Sequence, residues 1–494
     1  MLRKVRTILA AVLFVFITLL FLDFTGTLHH WLSWLAKIQF LPAVMALNVI
    51  VVLALLALTL IFGRIYCSII CPLGIFQDVL ARLRRKKNKY SYSKEVRWLR
   101  YPVLAVFVIA GAAGVGSLFQ LLAPYSSYGR IATMIFQPLW KMGNNLLATL
   151  AERADSYAFY SVDTWMRSMP VFIIAAVTLV LLVVLAWRGG RTYCNTICPV
   201  GTILSFFARF SWFKIRFDAD KCKSCSLCSK NCKAACIDFK THTVDYSRCV
   251  VCGNCLDKCK FGALTYTAKS GKTSTSDKTS PSEAIDASKR SFLLASALVS
   301  TAAMAQKKEK LMDGGLAELE DKVAPERQTP LTPPGSLSFQ NLATRCTGCQ
   351  LCVSECPNQV LRPSSDLMHL MQPTMSYEHG YCRPECTRCS EVCPAGAIQK
   401  IDKEEKTAIQ IGHAVWIKKN CVPITDGVEC GNCARHCPSG AIEMVPLDEN
   451  NEESPMVPAI NEAACIGCGA CEYVCPSRPF SAIYVEGHEV HKKI

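Results

Sequence analysis

The chain has 494 residues, with 29 cysteines, a formal net charge of +15 and 51% hydrophobic residues. A chain of this length can build a core without disulfides, so its cysteines do not indicate a small disulfide-stapled scaffold. The positive charge lies beside apolar segments, where it is typical of membrane orientation and argues against a nucleic-acid partner. The composition therefore favours an integral membrane protein that binds metal.

Four apolar stretches are close to the length of about 20 residues that a helix needs to cross a bilayer. Arginines and lysines lie before the first stretch, between the second and third, and after the fourth, while the other two loops are much less basic. Because basic loops remain in the cytoplasm, we expect the N-terminus, residues 63–98 and the segment after 188 on that side. The pattern predicts an α-helical membrane domain over residues 1–216. Its four predicted spans are residues 7–22, 41–62, 99–122 and 170–187.

Two cysteine runs follow the fourth stretch, CKSCSLCSKNC from Cys222 and CVVCGNCLDKC from Cys249. Both have the C-x2-C-x2-C-x3-C spacing of bacterial ferredoxins, in which three cysteines hold one [4Fe–4S] cluster and the fourth holds the neighbouring one. Lysine stands where proline usually follows the fourth cysteine. The spacing predicts a two-cluster, α+β ferredoxin-like domain over residues 217–268, with Cys236 left over as a buried thiol. The predicted ligand sets are Cys222, Cys225, Cys228 and Cys259 for one cluster, and Cys249, Cys252, Cys255 and Cys232 for the other.

Four more cysteine runs lie in the last third of the chain, and each ends in Cys-Pro. Each of the six runs in the chain has three closely spaced cysteines before its last one. Zinc fits this pattern poorly, because one zinc needs only four ligands, and a disulfide framework fits it poorly as well. We therefore expect a second α+β ferredoxin-like domain over residues 339–494, which brings the total to six [4Fe–4S] clusters, a series suited to one-electron steps. Nested pairing, outer run with outer and inner with inner, predicts its ligand sets. They are Cys346, Cys349, Cys352 with Cys475; Cys465, Cys468, Cys471 with Cys356; Cys382, Cys386, Cys389 with Cys437; and Cys421, Cys430, Cys433 with Cys393.

The segment between the two ferredoxin domains carries its own signals. Polar linkers are predicted at 269–287 and 307–338, and between them residues 288–306 are similar to a twin-arginine export signal in which Lys289 replaces one arginine. Three interpretations remain open for this segment: an uncleaved fifth span, a cleaved signal, or a surface helix that leaves the last domain inside. A domain with four clusters must fold around them before export. We therefore expect residues 217–268 in the cytoplasm and residues 339–494 in the periplasm.

Two further cysteine pairs lie just after apolar stretches, in the related phrases GRIYCSIICPLG and GRTYCNTICPVG. If the spanning helices continue that far, each pair lies on one helix face, in the last turn before a proline. Two related halves would bring the pairs together at the cytoplasmic face, and Arg64 and Arg191 could offset the negative charge of a cluster there. Three interpretations remain open: a seventh metal centre, redox-active or docking thiols, and structural thiols. The four cysteines of this candidate site are Cys67, Cys71, Cys194 and Cys198.

Residues 1–266, with four predicted spans, two C-x3-C-P motifs and a two-cluster tail, resemble the NapH-type membrane quinol dehydrogenase of periplasmic nitrate reductase systems. Residues 288–490 resemble its NapG/MauM-type partner, a four-cluster ferredoxin behind an export signal. The resemblance implies a multi-pass protein of the bacterial inner membrane, an oxidoreductase component that oxidises menaquinol or ubiquinol from the membrane pool. It also implies electron delivery toward a periplasmic molybdenum or haem reductase.

Two other functions remain open at this stage. Membrane ferredoxins with C-x3-C-P motifs also serve metalloenzyme assembly or regulation, and the chain could be a redox subunit without a quinol site of its own. The absence of a Rossmann glycine fingerprint and of a C-x-x-C-H haem motif argues against a nicotinamide, flavin or c-type haem protein. The sequence assigns no catalytic residue. An aromatic cluster near the outer face offers two histidines for proton transfer, although its tryptophans ordinarily anchor at an interface; it consists of His29, His30, Trp31 and Trp34.

Overall fold

The computed structural model describes residues 2–83, 90–268, 322–448 and 454–494. The export-signal-like segment 288–306 and the linker 269–287 lie outside these residues. Residues 1–269 and 324–494 form one compact unit. Within it, a helical part is followed by two small α+β domains.

The helical part covers residues 2–213, and a π-helical turn, Ala132–Phe136, separates two of its helices. Several helices are only one or two turns long, and some helices begin at a proline, namely Pro72, Pro124 or Pro199. In chain order they are α1 (Leu2–Leu22), α2 (Thr27–Leu32), α3 (Trp34–Lys37), α4 (Phe40–Met45), α5 (Val49–Phe62), α6 (Tyr66–Ile69), α7 (Pro72–Leu83), α8 (Arg97–Ala112), α9 (Gly116–Leu122), α10 (Pro124–Ile131), α11 (Gln137–Glu152), α12 (Met169–Gly189), α13 (Thr192–Thr196) and α14 (Pro199–Ala208).

Among the described residues, two helices, α1 and α12, are long and apolar enough to cross a membrane. Only 28% and 22% of their most apolar stretches are buried inside the protein, so they are not core helices of a soluble fold. The other two predicted spans are not continuous helices. A turn with Leu47 at φ 54° divides residues 41–62 between α4 and α5, and Gly114 at φ 73° divides residues 99–122 between α8 and α9. Apolar composition does not reveal such a break, because the residues around it are as apolar as the helices.

The two-cluster domain begins at Lys214, three residues before the predicted boundary, because its first strand pairs with its last. Strand β1 runs antiparallel to β4, with Lys214 opposite Thr267, and β2 pairs with β3. Two short helices lie within the cysteine runs, and each contains the third cysteine of its run. The elements are β1 (Lys214–Phe217), α15 (Leu227–Lys230), β2 (Ile237–Asp238), β3 (Thr243–Val244), α16 (Asn254–Lys258) and β4 (Leu264–Thr267).

Within its described residues, the four-cluster domain contains three two-stranded antiparallel sheets, β5 with β6, β7 with β10, and β8 with β9. A 3-10 turn, Lys418–Asn420, follows β7. The elements are α17 (Phe339–Arg345), α18 (Leu351–Glu355), β5 (Leu361–Pro363), β6 (Pro373–Met375), α19 (Arg388–Val392), α20 (Lys403–Thr407), β7 (Ile409–Trp416), α21 (Val422–Thr425), α22 (Asn432–Arg435), β8 (Ile442–Pro446), β9 (Met456–Ile460), α23 (Ala470–Val474) and β10 (Ile483–Lys493).

The end of the predicted linker 307–338 belongs to the four-cluster domain. Leu331 and Ser336 are fully buried, and Met375 donates its backbone N–H to the Leu331 carbonyl. The prediction of a linker was therefore wrong for this stretch. Its proline-rich sequence lacks helical periodicity, yet an extended chain can still bury its side chains against a sheet.

The two ferredoxin domains lie at opposite ends of helix α1. At its start, Arg3 Nη1 lies 3.0 Å from Asp257 Oδ2 of the two-cluster domain. Just beyond its end, a Cβ on Gly26 (φ 80°) would lie 2.7 Å from Glu355 Oε1 of the four-cluster domain. Because 21 helical residues extend about 31 Å, the helical part separates the two domains by roughly the thickness of a bilayer core.

Candidate metal centres

Cavities lined by four cysteines each occur in both ferredoxin domains. The cavity in the two-cluster domain has about 350 Å³ of empty space and contains one predicted ligand set unchanged: Cys222, Cys225, Cys228 and Cys259. Two cavities in the four-cluster domain have about 360 and 270 Å³. A space walled by four thiols fits a [4Fe–4S] cluster, which takes one thiolate on each iron.

The nested pairing predicted for the four-cluster domain is wrong. Cys356 lines a cavity with the run that begins at Cys382, not with the run from Cys465. Cys437 in turn lines the cavity of the Cys465 run. The geometry pairs consecutive runs, and α18 packs on α19 as α22 packs on α23.

The two remaining sets follow the same rule, as shown by the thiols that raise one another's pKa. Burial, and next the charges of Cys349, Cys346 and Cys393, raise the pKa of Cys352. Burial also raises the pKa of Cys433, and the charge of Cys475 adds to that effect. Pairing of neighbouring runs closes shorter loops than nested pairing, which lowers the entropy cost of folding. The four groups are Cys346, Cys349, Cys352 and Cys393; Cys382, Cys386, Cys389 and Cys356; Cys421, Cys430, Cys433 and Cys475; and Cys465, Cys468, Cys471 and Cys437.

The second set of the two-cluster domain is also brought together. Burial, and next the charges of Cys252, Cys232 and Cys249, raise the pKa of Cys255. Cys236, predicted as a buried thiol, is 1% exposed. Its Sγ lies 3.5 Å from that of Cys232, so it packs directly against this ligand set.

The structure also brings together the four cysteines of the C-x3-C-P motifs, Cys67, Cys71, Cys194 and Cys198, which we call the thiol quartet. All four are buried. Burial, and next the charges of the three other thiols, raise the pKa of Cys198. The two motifs therefore form one site.

The spanning helices do not continue into the quartet, so the condition under which each cysteine pair would share one helix face is not met. Helix α5 ends before Gly63 (φ 78°) and α12 ends before Gly190 (φ 70°), because these glycines take backbone conformations that a helix cannot accommodate. The second cysteine of each motif instead comes directly before a proline that opens a new helix, α7 or α14. Both helix N-termini thus face the quartet, where their dipoles favour negative charge. Gly201 donates its N–H to Cys198 Sγ at 3.3 Å.

In each half of the repeat, an arginine donates a hydrogen bond to the backbone carbonyl of a cysteine in the other half. Arg64 Nη2 donates to the Cys194 carbonyl at 3.1 Å, and Arg191 Nη1 donates to the Cys67 carbonyl. Both arginines are completely buried. The two contacts are reciprocal, because each half of the repeat supplies the arginine that the other half's cysteine carbonyl accepts from.

Asp78 balances the positive charge on one side of the quartet. Its carboxylate lies 2.8 Å from Arg191 Nη2 and 3.2 Å from Arg6 Nη1, and it also contacts Lys233 Nζ. Lys233 is the lysine that replaces the usual proline of the first cysteine run. Sequence reasoning missed Asp78, although a signal existed, because it is the single acidic residue between Asp23 and Glu95.

The quartet lies against the two-cluster domain on one side. Arg64 Nη1 donates to the Ser247 carbonyl at 3.0 Å, and Asn195 Nδ2 donates to the Ala234 carbonyl at 3.2 Å. These carbonyls are two residues from Cys249 and Cys232 in the sequence. The quartet is therefore next to the cluster site of Cys249.

On its other side, helix α10 separates the quartet from the four-cluster domain. Every residue of α10 is buried. Tyr193, which precedes Cys194, donates its hydroxyl to the Leu122 carbonyl at 3.5 Å, two residues before α10. A Cβ on Gly129 of α10 would lie 2.2 Å from the Cys349 carbonyl. The side chain of Tyr193 and the width of α10, about 10–12 Å, therefore separate the quartet from the cluster site of Cys349.

Alanine at Gly74 or Gly201 is expected to damage the quartet. The added Cβ would lie 2.3 Å from the Cys67 carbonyl oxygen in the first case and 2.4 Å from that of Cys194 in the second. We expect a loss of about 1–3 kcal/mol in the free energy of unfolding, as for other overpacked sites. Thermal unfolding in detergent and iron per chain measure the effect.

Gly143→Ala is the matched control for these variants. A Cβ added to this helical glycine would have no heavy atom within 4 Å, so alanine there is expected to be neutral or to stabilise by up to about 1 kcal/mol. Equal losses in the free energy of unfolding for Gly143→Ala and Gly74→Ala would contradict the proposed crowding around the quartet.

His29, one of the two histidines considered for proton transfer, holds the four-cluster domain in place. Its Nδ1 lies 2.7 Å from Glu355 Oε2 and 3.5 Å from Asp23 Oδ2. Burial alone would lower the pKa of His29, but the neighbouring carboxylates of Asp23 and Glu355 raise it above its ordinary value. The neighbouring Trp31 and Trp34 are 75% and 54% exposed, and His30 is exposed as well. In this aromatic cluster, His29 therefore contacts the four-cluster domain, while His30 and both tryptophans are exposed.

The sites define a class: an iron–sulfur electron-transfer protein of the ferredoxin type with several [4Fe–4S] domains and helices that could span a membrane. A family model described as a 4Fe-4S binding domain matches residues 44–90 and 169–218. Models described as 4Fe-4S dicluster domains match residues 345–397 and 428–478, and residues 245–360. The cysteines inside the first model's two segments are those of the thiol quartet alone.

The relatives belong to the same class. The chain is 31% identical to the methylamine utilization ferredoxin-type protein MauM of Methylobacillus flagellatus over 165 residues, 33% of this chain and 70% of MauM. It is 28% identical to the ferredoxin-type protein NapH of Escherichia coli over 238 residues, 46% of this chain and 70% of NapH. An uncharacterized protein of Methanocaldococcus jannaschii is 26% identical over 276 residues, 54% of this chain and 87% of that protein. No solved structure matches the chain.

The match to MauM shows the family. The chain belongs to the ferredoxin-type proteins that MauM represents, and it combines this relationship with similarity to NapH.

Proposed function

We propose that this chain is a membrane protein that takes electrons from quinol and passes them through [4Fe–4S] clusters to a redox partner in the periplasm. Each bound cluster would supply a one-electron carrier, held by the cysteine groups described above. The observation that carries the proposal is the position of the thiol quartet. It lies between the cluster sites of the two ferredoxin domains, so the candidate centres form a continuous series.

The quartet fits a seventh [4Fe–4S] cluster. Four buried thiols converge there, two helix N-termini face them, and the buried guanidinium groups of Arg64 and Arg191 lie beside them. A cluster held by four thiolates is negative, so this surrounding positive potential matches its charge. The description of the family model that matches only these cysteines supports the same assignment.

The exposed surface of the helical part supports insertion into a membrane with four crossings. Large apolar side chains are exposed on each crossing, including Val12 on α1, Ile50 on α5, Ile109 on α8 and Val177 on α12. Such an apolar belt is unfavourable in water and typical of lipid contact. Positive-inside counting favours a cytoplasmic two-cluster domain, and the position of the four-cluster domain at the opposite end of α1 supports a periplasmic location for it.

Anaerobic reduction by quinol tests the proposal. The purified full chain is expected to bind about 28 iron atoms, four for each of seven clusters, and to lose cluster absorbance when menadiol is added. Electron paramagnetic resonance would then show reduced [4Fe–4S] signals. Clusters that dithionite reduces but no quinol reduces would contradict quinol oxidation and favour assembly, regulation or a subunit without a quinol site.

A second candidate function follows from the same position of the quartet. Because the series of centres connects both ends of α1, electrons from a cytoplasmic donor would reach the same periplasmic outlet without quinol. Reduction of the four-cluster domain by a reduced ferredoxin added on the cytoplasmic side of proteoliposomes would favour this function.

A further inference from the structure

A cavity of about 790 Å³, part of it open to the surroundings, lies where the helical part meets the four-cluster domain. Its walls come from the π-helical turn, the first turns of α11, the loop 163–167 and the beginning of α12. Gln359 of the four-cluster domain completes the wall. The interior accounts for about 230 Å³ of this space, slightly less than the range of about 300–1,000 Å³ for drug-sized ligands, so the cavity suits a single small ring.

The chemistry of the lining suits a flat ring with polar groups on opposite edges. Met134, Met142 and Phe172 provide apolar walls, while Lys141 and Arg167 provide cationic donors. One Nη of Arg167 is buried without a hydrogen-bond partner among the described residues. A buried donor of this kind gains free energy when a ligand oxygen accepts its hydrogen bond.

The cavity opens toward lipid rather than toward a wholly aqueous surface. Met142, Leu139 and Trp140 on α11 are all more than half exposed, as is Met169 at the start of α12. These helices lie at the periplasmic end of the proposed membrane part. A ligand that diffuses in the bilayer would therefore reach the cavity from the side.

The cavity also lies beside a cluster site. The half-buried Arg167 lines the cavity, and its guanidinium is close enough to Cys356 and Cys352 for their charges to act on it. Trp165 stacks on His379 at 4.2 Å between ring centroids, and Arg362 covers the same indole at 4.4 Å. The docked four-cluster domain therefore shapes one wall of the cavity.

The π-helical turn adds a second indication of function. Thr133 and Met134 of this turn line the cavity, and Thr133 Oγ1 is buried without a hydrogen-bond partner among the described residues. π-Helical turns within α-helices occur frequently at functional sites. Nothing in the described packing of the neighbouring helices uses this hydroxyl.

We propose that this cavity binds the quinol headgroup and is the point at which electrons enter the iron–sulfur series. This inference rests on the proposed quinol oxidation and adds its location. One quinol would release two electrons and two protons and leave as quinone. The electrons would pass singly to two oxidised clusters of the four-cluster domain, each changing from [4Fe–4S]²⁺ to [4Fe–4S]⁺, and the protons would leave to outside water past the exposed carboxylate of Asp163.

Photolabelling of the full chain tests the location directly. A photoreactive azido-naphthoquinone is expected to label residues within 133–142 and 163–172, and excess menadione should remove the label. Met142→Trp, at the exposed rim, is expected to weaken equilibrium binding of menadione about tenfold by filling the entrance. Leu146→Trp, one turn further along α11, is equally exposed and does not line the cavity, so its affinity should be unchanged.

The outcomes separate this inference from the function on which it rests. If menadiol reduces the wild-type clusters but Met142→Trp binds menadione normally and the label lies elsewhere, the location is wrong and quinol oxidation stands. If no quinol reduces the wild-type clusters, the proposed quinol oxidation is wrong. Label in the cavity would then show binding without electron transfer, and this result would also overturn the proposed entry point for electrons. Label that an anionic phospholipid removes and menadione does not would assign the cavity to a lipid headgroup.

Discussion

Replacing Cys67 and Cys194 with serine is expected to remove about four of about 28 iron atoms per chain and to disconnect the two ferredoxin domains. The quartet lies between Ser247 of the two-cluster domain and helix α10, which contacts Cys349 of the four-cluster domain. Without a centre there, an electron would have to cross this whole distance in one step. We expect quinol to reduce the four-cluster domain as before and the two-cluster domain at least about tenfold more slowly.

Cys236→Ser is the matched control for this double variant. Its thiol is as buried as the quartet and touches Cys232, but it belongs to none of the proposed ligand sets. Iron content and both reduction rates should remain at the wild-type values. Unchanged iron in the double variant would show that the quartet holds no cluster and leave it as a set of structural or redox-active thiols.

Asp78→Asn is expected to cause the largest loss of stability, about 3–5 kcal/mol in the free energy of unfolding. The substitution keeps the shape of the side chain but leaves Arg6, Arg191 and Lys233 without their shared carboxylate. All three cations are buried, so water cannot replace the lost charge. Denaturant unfolding in detergent measures the loss, and reduced iron content should accompany it because Arg191 also holds the Cys67 carbonyl.

Asp257→Asn provides the control for Asp78. This carboxylate pairs with Arg3 at 3.0 Å, but both side chains are more than one-third exposed, and exposed pairs contribute only about 0–1 kcal/mol. If both variants lost a comparable free energy of unfolding, the result would contradict the view that Asp78 neutralises buried positive charge.

The cluster cysteines and the repeated motifs could be predicted from the sequence because their chemistry fixes their spacing. Three thiolates of one tight loop must reach three irons, and that requirement is local. The pairing of runs is not local, and the nested assignment of Cys475 and Cys356 failed because spacing within a run says nothing about which run folds beside it. Loop-closure entropy and the packing of α18 on α19 decide that question.

The surroundings of the quartet were less accessible to sequence reasoning. Arg64 and Arg191 precede their cysteines in the motif and could be identified, whereas Asp78 and Lys233 come together from separate parts of the chain. The breaks in the second and third spans were missed for a different reason. They depend on backbone angles at Leu47 and Gly114, and hydropathy does not record such angles.

The crossed arginines have a consequence for the origin of the protein. Because Arg64 holds the carbonyl of Cys194 and Arg191 that of Cys67, neither half of the repeat can complete its own site. Two copies of an ancestral half, each with one G-R-x-Y-C-x3-C-P motif, would form the same site as a symmetric dimer with the arginines exchanged between subunits. Gene duplication and fusion would preserve that exchange within one chain. It would also free Asp78 and its counterpart Ser205 to diverge, which is the asymmetry now seen between the two sides.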